Sequence, residues 1–486
     1  MFFSVYTLGC KLNQLESEAI ADSFCREGFT FIPWNASERR SALGASEPWL
    51  MVINTCTVTS MAEQKARRFI RKLLRDYPAV CLIITGCYAQ VEQAELSALE
   101  PSHGSEAPGR LFVIPGESKD RLLDLPRLLA VTGAPQPALP HQIALWLNSL
   151  SGPLSKDEED GSFRLQPENF ASHSRAFLKV QDGCDRRCTY CRVSIARGKS
   201  RSLGAEEVLG TLKALEERGF SEAVIAGVNI TQYLDAEALD AKASMDLAGL
   251  LSYLLSKTET IRLRLSSIEP DWLSPARLAD FAKVLAHPRI RPHFHLSVQS
   301  GSAGIIAKMG RAYTPEDIER IAALLRSVRH DPFLACDIIA GFPGETEEDF
   351  EKTFALCARI GFAWIHAFPF SRRPGTAAYD FPGRVSERDA VKRVEMLTQL
   401  ARKGRRDYLA RWEGKEVEAI AEADSEPKNR RHDASVLVPA VSENYLKLLL
   451  DCGGGPLPAP GSRVRCRISA AQAPEDSRFD AMAEPC

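Results

Sequence analysis

Short apolar runs alternate with segments of helical periodicity through the first 130 residues of the chain. Phe2–Leu8, Trp49–Asn54 and Val80–Thr85 read as strands, and Gln14–Glu27 and the basic stretch Met61–Asp76 read as helices. That alternation predicts a small α/β domain built on a mainly parallel sheet. Asn35–Pro48 is polar and rich in small residues, and reads as an inserted loop. Residues 131–170 carry prolines, an apolar island at Ile143–Leu150 and the acidic run Asp157–Asp160, the composition of a linker.

A regular β–α alternation follows. Phe177–Gln181, Ala223–Val228, Ile261–Ser267, His293–Gln299, Phe333–Ala340 and Trp364–Phe370 are strand candidates separated by helix-length segments. Six βα units in succession predict a parallel barrel or partial barrel, with function at the C-terminal strand ends. A charged helix runs from Glu387 to about Trp412. Beyond it, Val417–Glu422, Ser435–Val441, Leu446–Leu450 and Arg463–Ser469 are short strands separated by Gly, Pro and Asn, the pattern of a small all-β barrel. The expected fold is therefore α/β, divided as 1–130 N-terminal domain, 131–170 linker, 171–410 partial (β/α)6 barrel and 411–486 small β-barrel.

Composition narrows the setting. No apolar stretch approaches the ~20 residues that span a bilayer. The first residues have neither a basic region nor a long apolar core, so a cytoplasmic location is expected. The net charge of −2 excludes a globally basic nucleic-acid binder and confines any RNA contact to local patches. Thirteen cysteines, an odd number, do not suit a complete disulfide framework. In a reducing compartment they point to metal or redox chemistry.

The sharpest motif is Asp182-Gly183-Cys184-Asp185-Arg186-Arg187-Cys188-Thr189-Tyr190-Cys191, a C-x3-C-x2-C loop directly after the first barrel strand. Three thiolates on one short loop can hold three corners of a cubane iron–sulfur cluster. No fourth ligand is local, so one iron stays open, as a catalytic site requires. The alternative, structural zinc, needs a distant fourth Cys or His. A second set lies upstream: Cys10, Cys56 and Cys87 each follow the end of an expected parallel strand. Such ends gather on one sheet edge, where three thiols can converge on another cluster; isolated cysteines near strand ends are also common packing residues. Cys25, Cys81, Cys336 and Cys357 fall in helix or strand patterns and are read as packing residues. No role is assigned to these four or to Cys452, Cys466 and Cys486.

Taken together, the C-x3-C-x2-C loop, Thr7–Glu16, Asn54–Thr59 and Thr85–Gln90 resemble the radical-SAM methylthiotransferase family over nearly the whole chain. The resemblance implies that Cys184, Cys188 and Cys191 hold a [4Fe–4S] cluster whose open iron binds S-adenosylmethionine and cleaves it to a 5′-deoxyadenosyl radical. It implies that Cys10, Cys56 and Cys87 hold an auxiliary [4Fe–4S] cluster handling the sulfur to be inserted. It also implies that the C-terminal barrel is similar to a TRAM domain. Family segments near S-adenosylmethionine correspond to Ala226–Asn229, Ser266–Glu269, Gln299–Gly301 and Asp337–Thr346, so Asn229, Glu269, Gln299 and Gly341 are expected at that cofactor, the first three facing the barrel mouth. Asn54–Thr59, Gly86–Gln90, Arg264–Pro270 and His366–Thr376 resemble the branch acting on N6-threonylcarbamoyladenosine of tRNA. The other branches act on isopentenyladenosine in tRNA or on a ribosomal-protein aspartate. A non-catalytic iron–sulfur RNA-binding redox sensor is a further alternative. The chain departs from the family at Ser194, where Pro is usual, at Gly310, where a polar residue is usual, and in a longer Cys10–Cys56 segment.

The expected partners are a tRNA anticodon loop, a flavodoxin- or ferredoxin-like electron donor and a sulfur donor of unknown identity, with no membrane and a monomeric chain. Candidate RNA patches are Arg67, Arg68, Arg71, Lys72 and Arg75; Arg186, Arg187, Arg192, Arg197, Lys199 and Arg201; Arg402, Lys403, Arg405, Arg406 and Arg411; and Lys428, Arg430, Arg431 and His432.

Overall fold

The computed structural model describes residues 1–34, 47–100, 109–133, 135–149, 161–170, 174–236, 244–270, 275–423, 437–453, 455–472 and 479–486. Most of the expected insertion (35–46), the acidic run Asp157–Asp160 and the basic loop Lys428–His432 lie outside them. The chain divides into two compact units: residues 1–171 with 182–186 and 191–200, and residues 172–181 with 187–190 and 201–486.

In the first unit, β1 (Phe2–Thr7), β2 (Thr30–Phe31), β3 (Leu50–Thr55), β4 (Cys81–Gly86) and β5 (Leu111–Val113) form one sheet in the order β2-β1-β3-β4-β5. Every pairing is parallel. The central strands β3 and β4 are buried along their whole length, as the apolar runs Leu50–Ile53 and Cys81–Ile84 within them suit. One face packs under α1 (Lys11–Arg26), where Phe3, Phe24, Leu50 and Ile83 meet. The other packs under α2 (Ser60–Asp76) through Ala66, Ile70 and Leu73. The segment expected as linker contains a further helix, α4 (Leu139–Ser149), after the short α3 (Cys87–Val91). Leu139, Ile143 and Trp146, spaced for one helical face, enter the same core as Phe3.

The second unit begins with six parallel strands: β6 (Ala176–Lys179), β7 (Glu222–Ala226), β8 (Arg262–Leu265), β9 (His293–Gln299), β10 (Phe333–Ala340) and β11 (Trp364–Pro369). They form two three-stranded sheets, β8-β7-β6 and β9-β10-β11. Parallel bridges Leu263–Ile290 and Ile268–Leu296 join the two into an open half-barrel. The charged helix Glu387–Trp412 lies against β11 and β10. The last strands, β12 (Glu416–Ala421), β13 (Leu437–Ser442), β14 (Lys447–Asp451), β15 (Arg463–Gln472) and β16 (Ala481–Pro485), close into a barrel in the order β12-β13-β14-β16-β15. The strand Ala481–Pro485 was not expected from the sequence.

A buried ionic hub ties this small barrel to the N-terminal ends of the half-barrel strands. Glu222 accepts from Arg264 Nε at 2.6 Å, Arg264 Nη2 at 3.0 Å and Arg291 Nε at 2.7 Å. Arg264 also donates to the carbonyls of Ser442 and Glu443, Arg291 pairs with Glu418 and Arg175 with Glu422. Both parts of the second unit thus converge on one carboxylate.

Candidate active site

In the first unit the register sets the upstream cysteines. Thr55 is paired with Gly86, so Cys56 and Cys87 leave neighbouring strand ends side by side. Thr7 pairs with Asn54, and the chain turns at Leu8-Gly9 to bring in Cys10. A Cβ on Gly9 would lie 2.9 Å from Cys56 Sγ, so the glycine lets this turn sit against Cys56. Helix α1 starts at Lys11, three residues earlier than its apolar periodicity suggests, because Cys10 occupies the N-cap position. The turn is fixed by Asn13, whose amide donates to the carbonyls of Leu8 at 2.9 Å and Thr55 at 3.0 Å. Asn54 reaches back to the carbonyl of Asn13 at 2.9 Å. The three thiols are near enough to act on one another. Burial, then the neighbouring Cys10, pushes the Cys56 thiol up to about 12. Cys10 is open to solvent on one side, yet desolvation by the surrounding protein raises it too, against the pull of Arg197. Among the described residues, no three His, Cys, Asp or Glu side chains are gathered closely enough to hold a metal ion as they stand.

Arg197 is the cation of this cluster. Its Nε donates to Cys87 Sγ at 3.2 Å, and Nη1 and Nη2 reach Glu16 at 2.9 and 3.2 Å. Nη1 also bridges both oxygens of Asp182 at 3.1 Å, and Nη2 reaches Asn13 Oδ1 at 2.9 Å. Glu16 is shared with the buried Lys119. Burial disfavours the Arg197 charge, but the thiols and carboxylates around it overrule burial and hold it protonated. Arg192 is likewise internal, paired with Glu63 and Glu92. These two arginines therefore leave the expected RNA patch, of which Arg187, Lys199 and Arg201 remain exposed. On α2, Arg68, Arg71, Lys72 and Arg75 are exposed, whereas Arg67 is drawn in by Tyr88 and Glu95. On the long helix Arg405 and Arg411 are held by Asp480 and Asp331, leaving Arg402 and Arg406 at the surface.

The C-x3-C-x2-C loop is anchored at several points. Within the first unit, Cys184 N–H donates to Gly198 O at 3.0 Å and Val193 N–H to Cys191 Sγ at 3.4 Å. Within the second, Thr189 donates from its backbone to Met309 O at 3.0 Å and from its hydroxyl to Lys308 O at 2.9 Å. Gly310 holds φ +74°, and a Cβ there would stand 3.1 Å from Arg187 O, which accounts for glycine at this position. Ser194 sits in the first turn of a five-residue helix, Val193–Arg197.

Beside that loop, Asn229 Nδ2 donates to Glu269 Oε2 at 2.6 Å, and Arg311 pairs with the same carboxylate. Arg311 also donates to Tyr190 OH at 2.7 Å. Gln181 Oε1 accepts from the backbone of Asn229 at 2.8 Å. Asn229 and Glu269 are thus brought together. Gln299 and Gly341 do not belong to that network. Gln299 is buried at φ +63°. Gly341 donates to Glu345 and lies where a Cβ would meet Ala390 at 2.7 Å, so helix packing already demands a glycine there. Arg311 and Arg197 were missed as site residues, although both stand in motifs that the sequence presents. Of the other cysteines, Cys81, Cys336 and Cys357 are buried as expected, but Cys25 is exposed and is not a packing residue.

Comparison with known proteins decides the family. The radical SAM superfamily model matches residues 178–357, and the model described as uncharacterized protein family UPF0004 matches residues 3–104. The threonylcarbamoyladenosine tRNA methylthiotransferase MtaB of Treponema pallidum is 40% identical, over 96% of this chain and 97% of its own. The chain belongs to the radical-SAM methylthiotransferases. Within that family it falls in the branch of the Treponema protein. The like-named Bacillus subtilis protein is 31% identical over 91% of this chain and 89% of its own. The tRNA-2-methylthio-N(6)-dimethylallyladenosine synthase of Chlorobaculum tepidum, from the sister branch, is 30% identical over 91% and 90%. This methylthiotransferase is a transferase of the radical-SAM type, a class that works with S-adenosylmethionine and a [4Fe–4S] cluster. Among its described residues no helix is long and apolar enough to cross a membrane.

Proposed function

We propose that this enzyme adds a methylthio group to C2 of N6-threonylcarbamoyladenosine at position 37 of tRNA, using two [4Fe–4S] clusters. The observation that carries the reading is the meeting of Cys10, Cys56 and Cys87 at one sheet edge, with Arg197 among them, in a chain that also carries the C-x3-C-x2-C loop. The names of its relatives supply the substrate.

The donor sets suit the groups assigned to them. Desolvation raises the proton affinity of the Cys10 and Cys56 thiols, and with Cys87 and two buried carboxylates nearby the site favours a cationic iron–sulfur core over free thiolates. Cys10, Cys56 and Cys87 would hold the auxiliary cluster, and Cys184, Cys188 and Cys191 the one that binds S-adenosylmethionine. When bound, these groups supply the sulfur, the methyl group and the radical that removes hydrogen from the adenine. The protein contributes position and charge. Arg197 orients Cys87 and neutralises Glu16 and Asp182. Glu269, held between Asn229 and Arg311, would offer S-adenosylmethionine an oriented carboxylate, with Gln299 and Gly341 at adjoining strand ends. The small barrel and the exposed arginines of α2 would grip the RNA backbone. The working division is 1–130 for the auxiliary-cluster domain, 131–170 connecting, 171–410 for the radical-SAM core and 411–486 for RNA. The enzyme acts as a cytoplasmic monomer fed by a flavodoxin- or ferredoxin-type donor.

Deleting the gene and digesting total tRNA for nucleoside mass spectrometry tests this reading. Loss of 2-methylthio-N6-threonylcarbamoyladenosine with accumulation of its precursor is expected. Loss of the methylthiolated isopentenyl nucleoside instead would keep the chemistry and overturn the substrate. An unchanged profile would refute tRNA methylthiolation.

A further inference from the structure

One row of side chains in the half-barrel is used neither by the cysteine sites nor by the Asn229–Glu269–Arg311 network. Strand β11 has two unlike faces. Ile365 is buried, while His366 and Phe368 are open to solvent, Phe368 to 42%. With Trp364 they lie on one strand face, by the period of two. Phe368 is paired in register with Ile339 and His366 with Asp337.

The rings form an ordered row. His295, on β9, stacks on His366 with centroids 5.2 Å apart and planes 14° from parallel. His366 is parallel to Phe368 within 7°, at 6.5 Å. The row is held from behind. Trp364 Nε1–H donates to His366 Nδ1 at 3.3 Å, which places the proton of a neutral His366 on Nε2. His295 Nε2 stands 3.1 Å from Asp337 Oδ1. Phe368 is the member nearest the C-terminal strand ends, the end at which Gln299 and Gly341 also lie.

An exposed phenyl ring continuing two parallel imidazoles is an unusual feature for a strand that packs normally on its other face. It matches a planar aromatic ligand that adds one more layer to the stack. Proteins that read unpaired RNA take splayed-out bases on such rings, His and Phe included, and enzymes acting on a base remove it from its own stack first. We propose that His366 and Phe368, backed by His295, form the platform on which the purine of the target nucleotide stacks. The proposal rests on the reading of the substrate as a tRNA adenosine and adds where its base is received.

The test uses the purified full-length protein and two anticodon stem-loops, one with N6-threonylcarbamoyladenosine at the target position and one abasic there. Affinities are read by fluorescence anisotropy. Stacking of one base on aromatic side chains is worth roughly 5- to 150-fold in affinity. The unaltered protein should therefore bind the abasic RNA more weakly by about that factor. The double variant His366→Ala, Phe368→Ala should bind both RNAs alike, at the affinity the unaltered protein has for the abasic one. Phe368→Tyr, which keeps the ring, should retain the discrimination. Both substituted side chains are exposed, so the fold should tolerate their loss. A double variant that still discriminates fully overturns the platform and leaves the tRNA reading intact. So does one that loses affinity for both RNAs equally. Unaltered protein that binds neither stem-loop overturns both proposals.

Discussion

Glu222 offers the most quantitative handle on the second unit. Its side chain is 1% exposed and is clasped by Arg264 and Arg291, with Arg175 at 3.8 Å. Burial by itself would raise the carboxyl. The arginines, Arg264 foremost, overrule burial and hold it at about 2 against an ordinary 4.5. Moving a carboxyl that far is worth about 3 kcal/mol, at ~1.4 kcal/mol per decade of proton affinity. Because the folded value is depressed, this stability is fully present above pH 4.5 and is lost as pH falls from there through about 2. Glu222→Gln should cost a similar ~3–5 kcal/mol at neutral pH, since it takes the counter-charge from the buried Arg264 and leaves Arg291 and Arg175 to Glu418 and Glu422. Trp364 and Trp412 both lie in the second unit, so urea unfolding followed by tryptophan fluorescence reads the change. The variant should unfold at lower urea at pH 7, and the gap from the unaltered protein should narrow as the pH is lowered below 4.5. Arg264 also grips Ser442 and Glu443, so the same change should free the small barrel to fluctuate, seen as faster amide exchange in β13. A variant within 1 kcal/mol of the unaltered protein at pH 7, or a gap that does not depend on pH, would refute the account of the hub.

Two further outcomes concern the first unit. Arg197→Gln removes the guanidinium that Glu16 and Asp182 share, a local cost of ~3–5 kcal/mol. In reconstituted and reduced protein it should weaken the paramagnetic signal that Cys56→Ala abolishes and spare the one that Cys188→Ala abolishes. Wild-type intensity in both signals would show that Arg197 does not support the upstream site. Gly86 holds φ +100°, and a Cβ there would fall 2.3 Å from the carbonyl oxygen of Thr55, so Gly86→Ala must push β3 and β4 apart beside Cys56 and Cys87. At least ~2 kcal/mol of stability and much of the iron bound on reconstitution should be lost; a variant matching the unaltered protein in iron content and melting temperature would contradict the geometry.

What the sequence made legible follows from the range over which its signals act. The strands ending at Thr55 and Gly86 are built on four-residue apolar runs, and a cysteine directly after each is visible without a structure. The start of α1 was not visible, because cysteine is not a usual N-cap and Lys11-Leu12-Asn13 carries no helical periodicity of its own. Ala481–Pro485 was overlooked because Met-Ala-Glu-Pro has little β-propensity; its pairing with β14 and β15 makes it a strand. The basic residues around the cysteine loop show the limit most clearly. Arg187 and Arg197 look equivalent in sequence, yet one is exposed while the other is bonded to Glu16, 181 positions away. Charge read locally counts both as candidates for phosphate. Only the fold can separate a cation spent on the protein's own carboxylates and thiols from one left for RNA. The same holds for Trp364, His366 and Phe368. Their period of two marks one face of a strand, but that Trp364 packs against the core while His366 and Phe368 stay exposed is set by the half-barrel and is written nowhere in those three residues. The functional content of this chain is therefore carried by pairs: a motif supplies one partner, and a distant residue that no motif names fixes what the first can do.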